Sequence, residues 1–111
     1  MRTLGHAEVD RAIAEQQTAG FSRLVLDRKG RVVGATIVGP RAGESLPEAV
    51  LAVRQGLRGR DLAASTHAYP TYGDGLWKAE IAQVQARLAG GVVGAVTRVM
   101  AKVRRSTLGL K

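Results

Sequence analysis

Residues 67–74 concentrate the side chains of this sequence that are best suited to chemistry. The stretch holds one of the two histidines and both tyrosines, and it ends with the carboxylate side chain of Asp74. An imidazole can exchange protons near neutral pH. A phenol, with an ordinary pKa of about 10, is a poor base there and serves better as a hydrogen-bond donor or ligand. The candidate site residues are therefore His67, Tyr69 and Asp74.

The elements on either side must position these groups. The Tyr69–Pro70 bond fixes a turn, biases the residue before the proline toward an extended conformation and is a plausible site for a cis peptide. Thr71 and Asp74 have the spacing of a capping box, in which the hydroxyl and the carboxylate each accept from an N–H group at the start of a helix. The turn is predicted to join a short strand or extended segment over 64–67 to a helix over 74–88.

A β-hairpin is predicted in the first half of the chain. Residues 21–27 and 31–39 are rich in large apolar and β-branched side chains, and the glycine of the intervening 28–30 segment can supply a positive φ. Residues 2–7 are expected to add a short edge strand. Residues 8–17 suit either one or two helical turns or an irregular connection.

A long helix is predicted after the hairpin. Its apolar face comprises Leu46, Ala49, Val50, Val53 and Leu57. Ser45 and Glu48 have capping-box spacing, and Pro47 fits the first helical turn, where its missing N–H costs little. Residues 61–63 are expected to form another short turn.

Together these elements predict an α+β domain over 1–89. Its expected architecture is a layer sandwich of order β-β-α-β-α, in which helices cover one face of a mostly antiparallel sheet. A chain of 111 residues with 45% apolar content can bury one core. Residues 90–111 are predicted to form a separate, basic helical tail.

The tail is predicted to contain a basic amphipathic helix over 92–105. Its apolar stripe comprises Val92, Val93, Val96, Val99, Met100 and Val103, with Arg98, Lys102 and Arg105 beside it. We favour packing of the stripe on its own domain or on a sister subunit, because most amphipathic stripes pack in this way. The alternative is an anionic membrane surface, which an apolar stripe with several cations can bind.

Composition narrows the classes of function. The net charge is +8, and all nine acidic residues lie at or before Glu80, so the excess charge belongs largely to the tail. Nucleic acid is not expected as a partner, since no helix-turn-helix, zinc-finger or RNA-recognition pattern and no row of aromatic residues is present. With no cysteine there can be no disulfide or thiolate metal site. Apolar runs are too short for a signal peptide or membrane helix, which makes the cytoplasm the default expectation.

Several segments of the sequence resemble those of a known family and occur in the same order along the chain. They are DRA at 10–12, GFSRLV at 20–25, GRVVGATIVG at 30–39, AGE at 42–44 and HAYPT at 67–71. The resemblance covers roughly residues 8–88. It is to the C-terminal dimerisation domain of the pyridine nucleotide-disulfide oxidoreductases, the flavoenzyme group of dihydrolipoamide dehydrogenase, glutathione reductase and mercuric reductase.

The resemblance implies a homodimer in which this domain supplies most of the interface, and we expect the sheet or the last helix to lie near a two-fold axis. It also implies that the turn before the last helix reaches into the partner's active site. There a histidine before the proline, held by a glutamate five residues later, acts as acid and base toward redox thiols. Tyr69 and Asp74 occupy those positions here and both depart from the pattern, and the tyrosine resembles the mercuric reductase branch. His67 could replace the base, but we favour a structural or surface role for it.

The resemblance implies that the full-length enzymes of the family use FAD and NAD(P). In this chain the glycine-containing segment 30–34 lies in a predicted hairpin and not in the strand–turn–helix unit of a dinucleotide site. We therefore expect an interface domain that is not catalytic alone, binds no cofactor itself, and forms a homodimer or docks on a separately encoded flavoprotein subunit. One alternative is a binding or regulatory module whose basic tail contacts an acidic surface, lipid or nucleic acid. Another is a small autonomous enzyme that uses the three candidate site residues.

Overall fold

The computed structural model describes residues 1–107 of the chain and contains one antiparallel sheet. Its strands, in spatial as in chain order, are β1 (Arg2–Gly5), β2 (Phe21–Leu26) and β3 (Val32–Val38). In β2, Ser22 and Leu24 are fully buried while Arg23 and Val25 are only half-buried. This alternation gives the sheet one core face and one outer face, as expected from the period of a strand.

The described residues form five α-helices, two of which pack on the core face of the sheet. The five helices are α1 (Asp10–Ala14), α2 (Ala42–Gln55), α3 (Gly59–Ala64), α4 (Asp74–Gly90) and α5 (Val92–Thr107), with a 3₁₀ turn at His6–Glu8 before α1. Helix α2 lies against β3, and α4 lies against β1 and β2. The α+β architecture predicted from the sequence is therefore confirmed.

The core consists of two clusters on this face. One contains Leu24, Val32, Ala49, Ala52, Leu62 and Leu76, and the other Leu4, Val9, Ala12, Tyr72 and Ala79. Helix α2 contributes two alanines, whose small side chains allow its backbone to approach β3 closely. Its larger apolar side chains, which the predicted helical stripe also included, are largely exposed.

The hairpin follows the prediction closely. Strands β2 and β3 pair from Phe21↔Val38 to Val25↔Gly34, after which the register shifts and Leu26 faces Val32. This irregularity lies beside Gly34, and a glycine inside a strand often marks a bulge or bend. In the turn, Gly30 adopts a φ of 79°, as predicted for a residue without a Cβ.

Three predictions about the connections were wrong. Helix α2 begins at Ala42, so the spacing of Ser45 and Glu48 falls inside the helix and caps nothing. The turn predicted at 61–63 is part of α3, whose N-terminus is closed by a 2.8 Å bond from the Arg58 N–H to the Asp61 carboxylate. The strand alternative over 64–67 is also wrong for the described chain, because Ala64 ends α3, and only the extended alternative fits, with Ser65 in an extended conformation.

The predicted tail helix is present as α5, and the structure shows no packing of its stripe into the core. Val92, Val96, Val99 and Met100 are exposed, and α5 contacts chiefly α4. Within residues 1–107 of one chain these four side chains are therefore not covered, and packing of the stripe on a sister subunit stays a prediction. The side chains of Val93 and Arg105, which the sequence pattern also included, and residues 108–111 lie outside the described part. Within residues 1–107, no helix is long and apolar enough to cross a membrane.

Candidate functional site at the turn before helix α4

The turn before α4 has the geometry of a rigid tip. The Tyr69–Pro70 peptide is cis, the isomer that the sequence made plausible. Asp74 is the first residue of α4 and is buried, and its Oδ2 accepts a 3.4 Å bond from the Thr71 N–H. The Thr71 hydroxyl instead donates to the Ala68 carbonyl at 3.0 Å. The carboxylate half of the predicted capping box is therefore confirmed, and the hydroxyl half is wrong.

Tyr69 is 68% exposed, and its hydroxyl donates a 2.6 Å hydrogen bond to Asp10 Oδ2. Lys78 Nζ approaches the other oxygen of the same carboxylate at 3.4 Å. The bond to Asp10 raises the pKa of Tyr69, and the bonds from Tyr69 and Lys78 lower the pKa of Asp10. Tyr69 is thus held as a neutral phenol that donates a hydrogen bond, and this is the opposite of what a general base requires.

His67 contacts three separate parts of the structure. Its Nε2 lies 2.5 Å from Glu48 Oε1 on α2, and its Nδ1 lies 2.9 Å from the Ser65 carbonyl oxygen just after α3. The ring also lies 5.9 Å from the Trp77 ring on α4. His67 therefore connects α2, α3 and α4 through one side chain.

The three candidate residues do not form a chain of hydrogen bonds among themselves in the described structure. Tyr69 binds Asp10, His67 binds Glu48, and Asp74 binds the backbone of its own turn. The structure brings them onto one turn but directs each to a different partner.

A polar cleft of about 400 Å³ lies beside the turn. It is lined by Arg11, Arg41, Glu44, Ser45, Glu48, Pro70, Thr71, Tyr72 and Gly73. Buried Tyr72 donates a 2.8 Å bond to Glu15, and the Arg41 guanidinium lies 5.9 Å from its ring centre. Burial, followed by the bond to Glu15, raises the pKa of Tyr72. Sequence reasoning missed Tyr72 as a structural residue, although its place in an aromatic-rich turn was visible.

A second polar group lies in the core behind the turn. His6 is fully buried, and its Nε2 lies 2.9 Å from Ser22 Oγ. Its Nδ1 has no hydrogen-bond partner in the described structure. Burial lowers the pKa of His6, which favours a neutral ring. The Cα of Gly75, in the first turn of α4, packs directly against Ser22, so this group fixes the position at which α4 begins.

None of these groups makes a metal centre. Among the described residues, no set of three or more histidine and carboxylate side chains could hold a metal ion. The acidic residues of the site are instead used in pairs with Tyr69, Tyr72 and His67.

Comparison with known sequences places this fold and turn in one family. Residues 1–80 match the family described as "Pyridine nucleotide-disulphide oxidoreductase, dimerisation domain". The chain is 41% identical over 76 residues to mercuric reductase from Serratia marcescens, covering 68% of this chain and 16% of the relative. It is 40% identical over 65 residues to dihydrolipoyl dehydrogenase from Geobacillus stearothermophilus, covering 58% of this chain and 14% of the relative.

A solved structure has the same fold. The crystal structure of LpdA from Mycobacterium tuberculosis matches 73% of this chain with a TM-score of 0.68 and 23% sequence identity, and the match covers 18% of that protein. This chain therefore spans only a small part of the length of the proteins that it resembles. By its sequence match over residues 1–80, it belongs to the pyridine nucleotide-disulphide oxidoreductase family as a dimerisation domain.

Proposed function

We propose that this chain is the interface domain of a mercuric-reductase-like, flavin-dependent oxidoreductase, that it forms a homodimer, and that it is not catalytic alone. The observation that carries the proposal is an apolar face on α2 and β3 that the fold leaves exposed. A face of this kind on a small domain favours association, because covering it removes apolar area from water.

The exposed face runs along the outer side of α2. It comprises Val33 on β3 and Leu46, Val50, Leu51 and Val53 on α2, and we call it the α2–β3 face. Val50, at the centre of this face, is 55% exposed. A groove of about 510 Å³ lies between the helix and the strand, lined by six apolar residues, Gly34 and Arg54. The face is thus both apolar and grooved, as a protein interface requires.

The position of β3 supports the same surface. Strand β3 is at the edge of the three-stranded sheet and pairs with β2 on one side only. An edge strand offers backbone donors and acceptors to a second chain. A two-fold axis near Val50 would bring the two copies of the face together, since isologous contacts use the same patch twice. Sedimentation of the wild-type chain should then give twice the mass of one chain.

The turn suits a role in a partner's active site more than one in its own. The Tyr69 ring projects with most of its surface exposed, and Thr71 fixes the turn behind it through one bond to buried Asp74 and one to the Ala68 carbonyl. Tyr69 occupies the place of the family's histidine, and its hydroxyl already binds Asp10. We infer that it acts as a hydrogen-bond donor or ligand toward a group held by another subunit, with Asp74 supporting the turn.

The described residues do not fit FAD or NAD(P). All three strands are antiparallel, whereas a dinucleotide site uses parallel strands, each followed by a helix whose N-terminus meets the phosphates. The glycine-rich segment lies in the β2–β3 hairpin, and Gly39 is close-packed against the His6 ring. The cofactors would belong to other parts of a longer chain or to a separate flavoprotein subunit.

Mixing the purified chain with FAD and NADH tests the catalytic part of the proposal. We expect the flavin to separate from the protein on desalting and the NADH absorbance to stay constant when a disulfide substrate is added. A full-length dihydrolipoyl dehydrogenase serves as the positive control. Flavin that stays with the chain, or NADH oxidation that scales with its concentration, would overturn the proposal.

A further inference from the structure

Helix α5 presents an apolar stripe that the other described residues leave exposed. Val92, Val96, Val99 and Met100 are between 49% and 81% exposed. With 3.6 residues per turn, these four positions fall within about a third of the helix circumference. A regular helix with a continuous exposed stripe needs an apolar partner.

Cations flank the stripe on both sides. Lys102 projects on one flank and Arg104 on the other, both exposed, while Arg98 donates to the Ala89 carbonyl at 2.8 Å and holds the corner between α4 and α5. No acidic residue follows Glu80 anywhere in the sequence. The partner of α5 must therefore combine an apolar interior with negative charge at its surface.

These two features argue against the simplest protein partner, which is a second copy of α5. Two α5 stripes paired with each other would place two basic helices side by side, with no carboxylate on either helix to offset Lys102 and Arg104. Uncompensated like charges across an interface oppose association. The phosphates of nucleic acid would match the cations, but they would leave the valine and methionine side chains in water.

We propose that α5 lies in the surface of a lipid bilayer that contains anionic phospholipids. The apolar stripe would enter the boundary between headgroups and acyl chains, and the flanking cations would remain among the headgroup phosphates. With 16 residues, α5 is about 24 Å long and lies parallel to the surface. The proposal does not depend on the dimer, since the α2–β3 face is on a different helix.

Cosedimentation of the full chain with vesicles tests the proposal. One set of vesicles is pure phosphatidylcholine, and the other contains one part phosphatidylserine to two parts phosphatidylcholine. We expect binding to the second set only, with affinity that decreases as salt rises. Changing Lys102 and Arg104 together to glutamine should weaken binding about thirtyfold. Each cation near the membrane surface contributes about fivefold, and the two factors multiply.

A pair of variants separates the stripe from general electrostatic attraction. The double change Val99→Asn with Met100→Gln keeps the charge and should weaken binding about tenfold or more. Ala101→Gln is the matched control on the opposite side of the helix and should bind like the wild type. An unchanged unfolding midpoint, followed by Trp77 fluorescence, shows that each variant is folded.

Three results would overturn the proposal. The first is no sedimentation with either set of vesicles, and the second is equal binding to both. The third is an unchanged affinity in the Val99 and Met100 variant, which would leave only surface charge as the cause. Binding to a DNA duplex in the absence of vesicle binding would instead assign the basic flanks to nucleic acid.

Discussion

At the scale of single residues, the partners of the candidate site were the hardest feature to predict. The sequence directed attention to 67–74 because chemically capable side chains and a proline turn are concentrated there. It did not reveal Asp10 as the partner of Tyr69 or Glu48 as the partner of His67, since these lie 59 and 19 positions away. Such pairs depend on how α1 and α2 pack, and no local pattern encodes that packing.

His6 provides a test of the electrostatics of the core. Burial holds its pKa below the ordinary value of 6.5. Well above pH 6.5 His6 is neutral in both the folded and the unfolded state, so its protonation does not lower the free energy of unfolding. As the pH falls below 6.5, the unfolded chain binds the proton first and the free energy of unfolding decreases, with a slope of at most about 1.4 kcal/mol per pH unit for one group.

Urea unfolding of the wild type and of His6→Gln at a series of pH values checks this prediction. The glutamine does not titrate, so the difference between the two stability curves should contain a decrease on acidification that starts near pH 6.5. Glu80 contributes with the opposite sign in both proteins, because burial raises its pKa, and so cancels in the difference. Parallel curves from pH 7 to pH 5 would contradict the prediction.

At the scale of elements, local rules succeeded where one signal was dominant and failed where two competed. The hairpin followed from β-branched composition and Gly30. Ser45 with Glu48 had the spacing of a capping box, yet α2 begins before them, after Arg41 with a φ of 56°. Residues 59–64 form α3 although they include a glycine, because Asp61 caps its start and Leu62 is anchored in the core. Tertiary packing therefore outweighed the local signals.

The start of α4 can be tested with two matched glycines. Gly75 and Gly43 are each the second residue of a helix. A Cβ at Gly75 would collide with Ser22 Oγ and lie 2.9 Å from Ser22 Cβ, whereas a Cβ at Gly43 would meet nothing within 4 Å. Gly75→Ala should lower the free energy of unfolding by about 1–3 kcal/mol. Gly43→Ala should raise it by about 0.5–1 kcal/mol.

Denaturant unfolding followed by Trp77 fluorescence measures both glycine variants under the same conditions. The tight packing of His6, Ser22 and Gly75 predicts effects of opposite sign. If the two alanines changed stability by the same amount, the close contact at Ser22 would not fix the start of α4.

At the scale of the whole molecule, the chain is a family domain without the rest of the enzyme around it. It spans 14% to 16% of the two curated relatives compared above. The sequence predicted the fold class from the apolar patterns of its elements, and the family segments in the same order implied the same domain. It did not predict which surface would stay exposed, since the α2 stripe and the α5 stripe have the same apolar pattern as buried helices. Only the packing shows that alanines face β3 and that valines face outward.

The mass of the chain in solution tests the central claim most directly. At tens of micromolar, sedimentation equilibrium should give twice the mass of one chain for the wild type. Val50→Glu, which places a charge in the α2–β3 face, should give the mass of one chain. Leu88→Glu, a matched change at an apolar side chain that is 53% exposed on α4, should remain dimeric. A wild-type chain with the mass of one chain, or a Val50→Glu variant that stays dimeric, would contradict the account.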